Sequence, residues 1–236
     1  MYDDLQDFFE FVRDESLAAL NQARKDVPLF VSASFNLGHK TVSEIGGRFI
    51  EEYVTQNLSH YFSKHKSLRF EYLPSRSLGD FKIESKENNT KVLFVDIKAQ
   101  HLTIREETEK YYKLNNIKQK KPGESHPNLI SFDKAKSFYS DASRINEDIA
   151  ILSVKYIPRI SKERVDFEIQ KLDEGNLFLL RTLSESNLSY GSLGKGQIQL
   201  SRVNAISFEH RSKETFLKLL KKIASRPRVS RLTSSS

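Results

Sequence analysis

The sequence predicts an α/β protein, and three observations carry that reading. Two apolar runs, Val92-Leu93-Phe94-Val95 and Ile149-Ala150-Ile151-Leu152, have strand length and no polar alternation, as strands buried on both faces do. Segments of helical periodicity stand before, between and after them. Polar clusters such as Ser85-Lys-Glu-Asn-Asn-Thr90, with no apolar residue, punctuate the chain as turns.

The elements follow in order. Residues 3–25 read as an amphipathic helix, with Leu5, Phe8, Phe9, Val12, Leu20 and Ala23 near one face. That stripe packs against its own domain or serves a dimer interface. Residues 41–62 form the second helix, with Thr41 or Ser43 near its cap. Residues 68–73 and 79–84 are extended, and residues 91–99 are the central strand. A helix over 131–144 puts Phe132, Ala135, Phe138, Tyr139 and Ala142 on one side. Residues 148–157 form a buried strand that Pro158 stops. Residues 165–172 and 176–180 read as a second hairpin across Asp173-Glu-Gly-Asn176. Residues 197–204 are extended, and 213–224 form a closing helix. No internal repeat is apparent. A length of 236 residues fits one domain over 1–224, followed by a Ser/Arg-rich, disordered tail over 225–236.

Composition narrows the function. The chain has no Cys, which removes disulfides and thiolate metal sites together and is compatible with a reducing cytoplasm. The six His show no His-x-x-x-His spacing. Gly191-Ser-Leu-Gly-Lys-Gly196 lacks the spacing and the hydroxyl of a phosphate loop, and no Gly-x-Ser-x-Gly elbow occurs. No apolar run has the length of a membrane span, and the acidic start carries no secretory pattern. The net charge of +7, from 38 basic and 31 acidic residues, predicts a local positive surface for a polyanion.

The chemistry-bearing stretch is Leu78 to Gln100. Side chains alternate along a strand, so Asp96 and Lys98 point one way and Ile97 the other. A hairpin through the Asn88-Asn89 turn returns Asp80 beside Asp96. A carboxylate closing a buried run is costly unless something pairs with it. A divalent cation held by both aspartates would do so, and Mg2+ favours a few carboxylates with waters and phosphate oxygens. Lys98 would then orient or deprotonate the attacking water, or stabilise charge developing on phosphate. The competing reading is an edge-strand salt bridge from Asp80 or Asp96 to Lys98. A second Glu-x-Lys triplet, Glu84-Ser85-Lys86, falls in the polar turn, where both groups are solvated.

Asp80 followed by Asp96-x-Lys98 on an apolar strand resembles the PD-(D/E)xK nuclease signature, and within it the type II restriction endonucleases. The resemblance covers roughly residues 35–157. Residues 41–58 look like the helix that precedes the hairpin in such nucleases, with Glu44 matching its acidic residue. Ser125-His-Pro-Asn-Leu-Ile-Ser131 and the helix after it resemble the segment that follows the catalytic lysine. Two departures are Gly79, where a proline often stands, and Ala99 after the lysine. The resemblance implies a restriction-endonuclease-like core, a central mixed β-sheet flanked by helices. It implies Asp80, Asp96 and the Ile97 carbonyl as metal ligands, Lys98 as the water-activating residue and Glu44 as an auxiliary group. The implied cofactor is Mg2+, with Mn2+ substituting. The implied reaction is sequence-specific hydrolysis of double-stranded DNA to 5′-phosphate and 3′-hydroxyl ends, in a prokaryotic cytoplasm. Palindromic sites would favour a homodimer.

DNA contacts are expected about residues 101–130 and 185–204. Residues 110–121 hold Lys110, Lys113, Lys118, Lys120 and Lys121 with two Tyr and no acidic residue, suited to phosphates. Residues 189–200 hold three glycines that let backbone approach DNA. There Gln197 and Gln199 share a side for reading adenine, and Lys195 can donate to guanine or phosphate. Alternatives are a structure-specific repair nuclease or junction resolvase of the same fold, or a DNA-binding module without catalysis.

Overall fold

The computed structural model describes residues 4–26, 29–32, 39–75, 77–87, 90–102, 128–160, 164–190, 196–200 and 207–225. The chain divides into two compact units: unit 1 comprises Met1–Ser125 and Asn146–Leu179, and unit 2 comprises His126–Ile145 and Leu180–Ser236.

Unit 1 opens with helix α1 (Leu5–Asp26), which buries Phe8, Phe9, Val12, Leu17 and Leu20 along one stripe. The Asp4 carboxylate starts it by accepting from the Gln6 and Asp7 amides, at 2.7 and 2.9 Å. Arg24 and Lys25 stand in its last turn, where cations favour the dipole. Helix α2 (His39–Ser63) buries Ile50, Tyr53, Val54, Leu58 and Phe62. A Cβ on its Gly46 would lie 2.7 Å from Phe167 Cε1 and 2.8 Å from Tyr156 Oη, so this helix turn can approach the sheet only as glycine.

The strands of unit 1 are β1 (Phe30–Ser32), β2 (Leu68–Tyr72), β3 (Phe81–Ser85), β4 (Val92–His101), β6 (Glu147–Ile160), β7 (Arg164–Ile169) and β8 (Leu177–Leu179). They form one mixed sheet in the order β1-β7-β6-β4-β3-β2, with β8 also pairing β6. Among the described residues β4–β6 is the parallel pair and the rest are antiparallel. Leu93, Val95 and Ile97 of β4 and Ala150, Leu152 and Val154 of β6 join the core that α1 and α2 build. The protein is therefore α/β with a mixed central sheet flanked by helices, as the apolar runs predict.

Three local expectations differ. The buried strand does not stop at Pro158 but runs to Ile160. Tyr156 faces β4, since its carbonyl accepts from the Leu102 amide at 2.8 Å, and Pro158 faces the same way, beyond the end of β4. Its missing N–H therefore costs no ladder bond. The second hairpin does not form. β8 pairs β6 at residues 150–152, and β7 takes the same edge of β6 from Tyr156 onward. A capping box on Asp173 turns the chain through a 3-10 helix instead, and Asn176 Nδ2 donates to the Ser153 carbonyl at 2.7 Å. β1, three residues long, carries no periodicity and was not expected.

Unit 2 holds β5 (Asn128–Ser131), helix α3 (Phe132–Ser140), β9 (Leu188–Tyr190), β10 (Gln197–Leu200) and helix α4 (Lys213–Ala224). Its small sheet has the order β5-β10-β9, all antiparallel. Helix α3 is shorter than expected. Ser131 caps its start, and Asp141 ends it and caps a separate 3-10 turn, Ala142–Arg144. The aromatic rings of Tyr139 and Phe216 meet edge to face at 5.0 Å between α3 and α4. No helix among the described residues is long and apolar enough to cross a membrane.

Candidate active site at the end of strand β3

The site forms at the start of β3, just ahead of Phe81, where β4 continues past the pairing. Antiparallel pairing runs from Glu84↔Val92 to Phe81↔Val95. Beyond it the Asp80 amide donates to the Val95 carbonyl at 2.8 Å. A Cβ on Gly79 would stand 2.5 Å from that same carbonyl oxygen, so the chain lies against the backbone of β4 at this point. A proline or any side chain there would push it off, which gives glycine before Asp80 a physical reason.

Two residues further along β4, the Ile97 amide has lost its partner strand. Asp80 Oδ2 accepts from it at 2.7 Å. The bond prevents an orphaned backbone donor and fixes the carboxylate. On an extended strand the N–H and C=O of one residue face the same edge, so the Ile97 carbonyl also faces the Asp80 side.

Asp96, 9% exposed, sits on the opposite face of β4 from Ile97, opposite Ile151 of β6. Lys98 Nζ donates to Asp96 Oδ1 at 2.9 Å and lies equally close to Oδ2. The alignment with Oδ2 is too poor for a hydrogen bond, so that buried oxygen has only the ion-pair contact. Burial pushes the Asp96 carboxyl up to about 7, against the pull of Lys98, with Asp80 and Glu51 adding to the rise.

Glu51 of α2 is the helical acid within electrostatic reach. Burial, then the negative charge of Asp80, raise its pKa, and Lys98 and Arg48 oppose them. Sequence reasoning missed it. The available signal was an acid flanking the apolar stripe of Ile50, Val54 and Leu58. Glu44 lies two turns earlier in α2, and its side chain is outside the described residues.

Asp80, Asp96 and Lys98 therefore come together as expected, but as a chain of contacts: Asp80 to the Ile97 amide, and Lys98 to Asp96. No cluster of three or more His, Cys, Asp or Glu groups at metal-holding distance occurs among the described residues. The donor chemistry nonetheless fits Mg2+. It consists of hard oxygens, one of them a buried carboxylate oxygen without a hydrogen bond, in a site where burial, chiefly, holds two acids, Asp96 and Glu51, above their ordinary pKa despite Lys98.

Of the expected DNA contacts, Lys110, Lys113, Lys118, Lys120, Lys121 and Lys195 lie outside the described residues. Gln197 is half-exposed on β10, paired with Ser131, and Ile198 beside it is buried. Gln199 pairs with Asn128 and Ser189, its side chain outside the described set. Gly196 has φ 59°, a left-handed conformation that favours glycine. The sequence matches no protein-family model and no curated protein at a significant level.

Proposed function

We propose that this chain is a Mg2+-dependent endonuclease of the PD-(D/E)xK type, acting on double-stranded DNA as a type II restriction enzyme does. The observation that carries the reading is Asp96. A carboxylate this buried, raised to about 7 and bonded only by Lys98, is poorly accommodated as a purely structural group. Asp80, Asp96 and the Ile97 carbonyl would hold the metal, with Glu51 or Glu44 as the auxiliary acid. When bound, Mg2+ supplies Lewis-acid polarisation of the phosphate and makes water a stronger nucleophile. Lys98 would lie beside the scissile group, orient the attacking water and stabilise the charge that develops on phosphate oxygens. Asp80, fixed by the Ile97 amide, keeps its own orientation throughout. The products are a 5′-phosphate and a 3′-hydroxyl, and recognition of a palindrome is by a homodimer.

The test is digestion of a sequenced plasmid with Mg2+ or Mn2+, followed by end mapping. Discrete fragments with 5′-phosphate ends are expected. Cutting confined to branched or damaged DNA would instead make the chain a structure-specific nuclease. The direct Lys98–Asp96 pair favours a second reading, a DNA-binding module whose acids are neutralised internally. That module would shift DNA in a gel and release no product with either metal.

A further inference from the structure

The charge of this chain is divided between its two units. Unit 1, which holds Asp80, Asp96 and Lys98, has 24 basic and 26 acidic residues, a formal charge of −2. Unit 2 has 14 basic and 5 acidic residues, a formal charge of +9. The whole positive excess therefore belongs to unit 2. Within it, α4 is the most one-sided element described. Phe216, Leu219, Leu220 and Ile223 are buried, while Lys218, Lys221 and Lys222 are exposed. Positions 218, 221 and 222 share one helix face, being three and four residues apart. Residues 215–236 contain six basic residues and no acidic one.

Two of these lysines have carboxylate neighbours. Lys218 lies 2.7 Å from Glu214, and Lys222 lies 3.0 Å from Glu185. Both lysine side chains are more than half exposed, at 74% and 63%. Such surface pairs are worth little and exchange readily for a better anion. Lys221 has no ion pair among the described residues. Two of the three also stand in the last turn, where cations favour the helix dipole, but that role does not require the charge of the whole unit to be of one sign.

We propose that the exposed face of α4, through Lys218, Lys221 and Lys222, is a docking surface for the phosphate backbone of double-stranded DNA. Lysines on a helix face give sequence-independent contacts, each releasing condensed counterions. The proposal rests on the duplex-DNA reading above for its partner, and not on hydrolysis.

The test is binding of the full chain to a labelled duplex in EDTA, where no cleavage can occur. The assay is run from 50 to 300 mM salt with the triple variant Lys218→Gln, Lys221→Gln and Lys222→Gln. A control variant carries Lys64→Gln, Lys66→Gln and Lys86→Gln, three exposed lysines of unit 1. Glutamine has nearly the helix propensity of lysine, and a melting curve checks the fold. The expected result is a roughly 10²-fold loss of affinity near 0.1 M salt and a salt slope shallower by about 2.7, with the control near wild type. Equal losses in both variants, or an unchanged slope, would overturn the proposal. So would a wild-type slope smaller than about 2.7. A loss seen on phosphatidylserine vesicles or single-stranded RNA, but not on duplex DNA, would also overturn it. Lysine-dependent binding without any Mg2+-dependent product would leave this docking face standing and refute the hydrolysis reading alone.

Discussion

Replacing Asp96 by asparagine should make the metal-free protein progressively more stable relative to wild type as pH rises from about 4 to 7, with the full gain above neutral pH. The Asp96 carboxyl is raised from its ordinary 3.8 to about 7, chiefly by burial. A rise of about 3 units corresponds to roughly 4 kcal/mol of preference for the neutral acid in the folded state. The sign follows from proton counting. Between pH 4 and 7 the folded protein keeps a proton that the unfolded chain has lost, so stability falls as pH rises through that window and levels off above it. The amide of the Asp96→Asn variant stays neutral at every pH, so the variant lacks this slope.

Urea unfolding in EDTA at half-unit steps from pH 4 to 8 reads the effect directly. The difference between Asp96→Asn and wild type should grow by about 4 kcal/mol from the acid to the alkaline end. A constant offset from the swap itself, including any change in the Lys98 contact, does not alter that slope. Mg2+ gives the second arm. At pH 8 it should raise the wild-type midpoint by mass action and leave Asp96→Asn nearly unmoved. Parallel pH curves for the two proteins would refute the reasoning, because they would mean that Asp96 is ionised at ordinary cost.

Other outcomes follow from the same geometry. Asp80→Ala and Lys98→Ala should each lower plasmid cleavage by about 10²–10³-fold or more with the far-ultraviolet spectrum unchanged, and Glu51→Gln should lower it less. Single-turnover kinetics at saturating DNA checks this, and near-normal rates for Asp80→Ala and Lys98→Ala would remove the site assignment. Gly79→Ala, whose Cβ would meet the Val95 carbonyl at 2.5 Å, should cost roughly 1–3 kcal/mol and misplace Asp80, with about 10²-fold slower turnover. Full activity with an unchanged melting temperature would show that the close approach is dispensable. Gln197→Ala should weaken cognate DNA by about 1–3 kcal/mol and relax discrimination at one base pair, measured on single-mismatch duplexes. Equal small losses on every duplex would remove Gln197 from base readout.

The sequence was most legible where physics is local. Val92 to Val95 and Ile149 to Leu152 become the parallel centre of the sheet because unbroken apolar runs have no exposed face to offer. The alternation that joins Asp96 to Lys98 holds in space, and the antiparallel pairing of β3 with β4 brings Asp80 to the Ile97 amide. What was not legible depends on which edge is free. Residues 165–180 have the composition of a hairpin, yet β7 and β8 divide one edge of β6 between them. Pro158 looks like a stop, and the end of β4 makes it harmless. Glu51 was invisible because an acid beside an apolar stripe is ordinarily a solvated flank. Only the fold brings it within reach of Asp80.

The unequal lengths of β3 and β4 bear on why chemistry would reside here. β4 continues to His101, while its pairing with β3 ends at Phe81↔Val95, so backbone groups of β4 beyond Val95 face an edge without a strand. A purely structural solution would satisfy the Ile97 amide with a neutral group, which carries no desolvation cost of a charge. An aspartate in that place adds negative charge next to Asp96, a carboxyl already disfavoured by burial, and so deepens the cost that Lys98 only partly offsets. Two unfavourable choices, Asp80 just ahead of β3 and Asp96 on β4, fit the proposed cation, which would use both carboxylates, better than independent packing. If that is so, Asp80→Asn should reproduce part of the Asp96→Asn stabilisation in EDTA and, like it, lose the response to Mg2+.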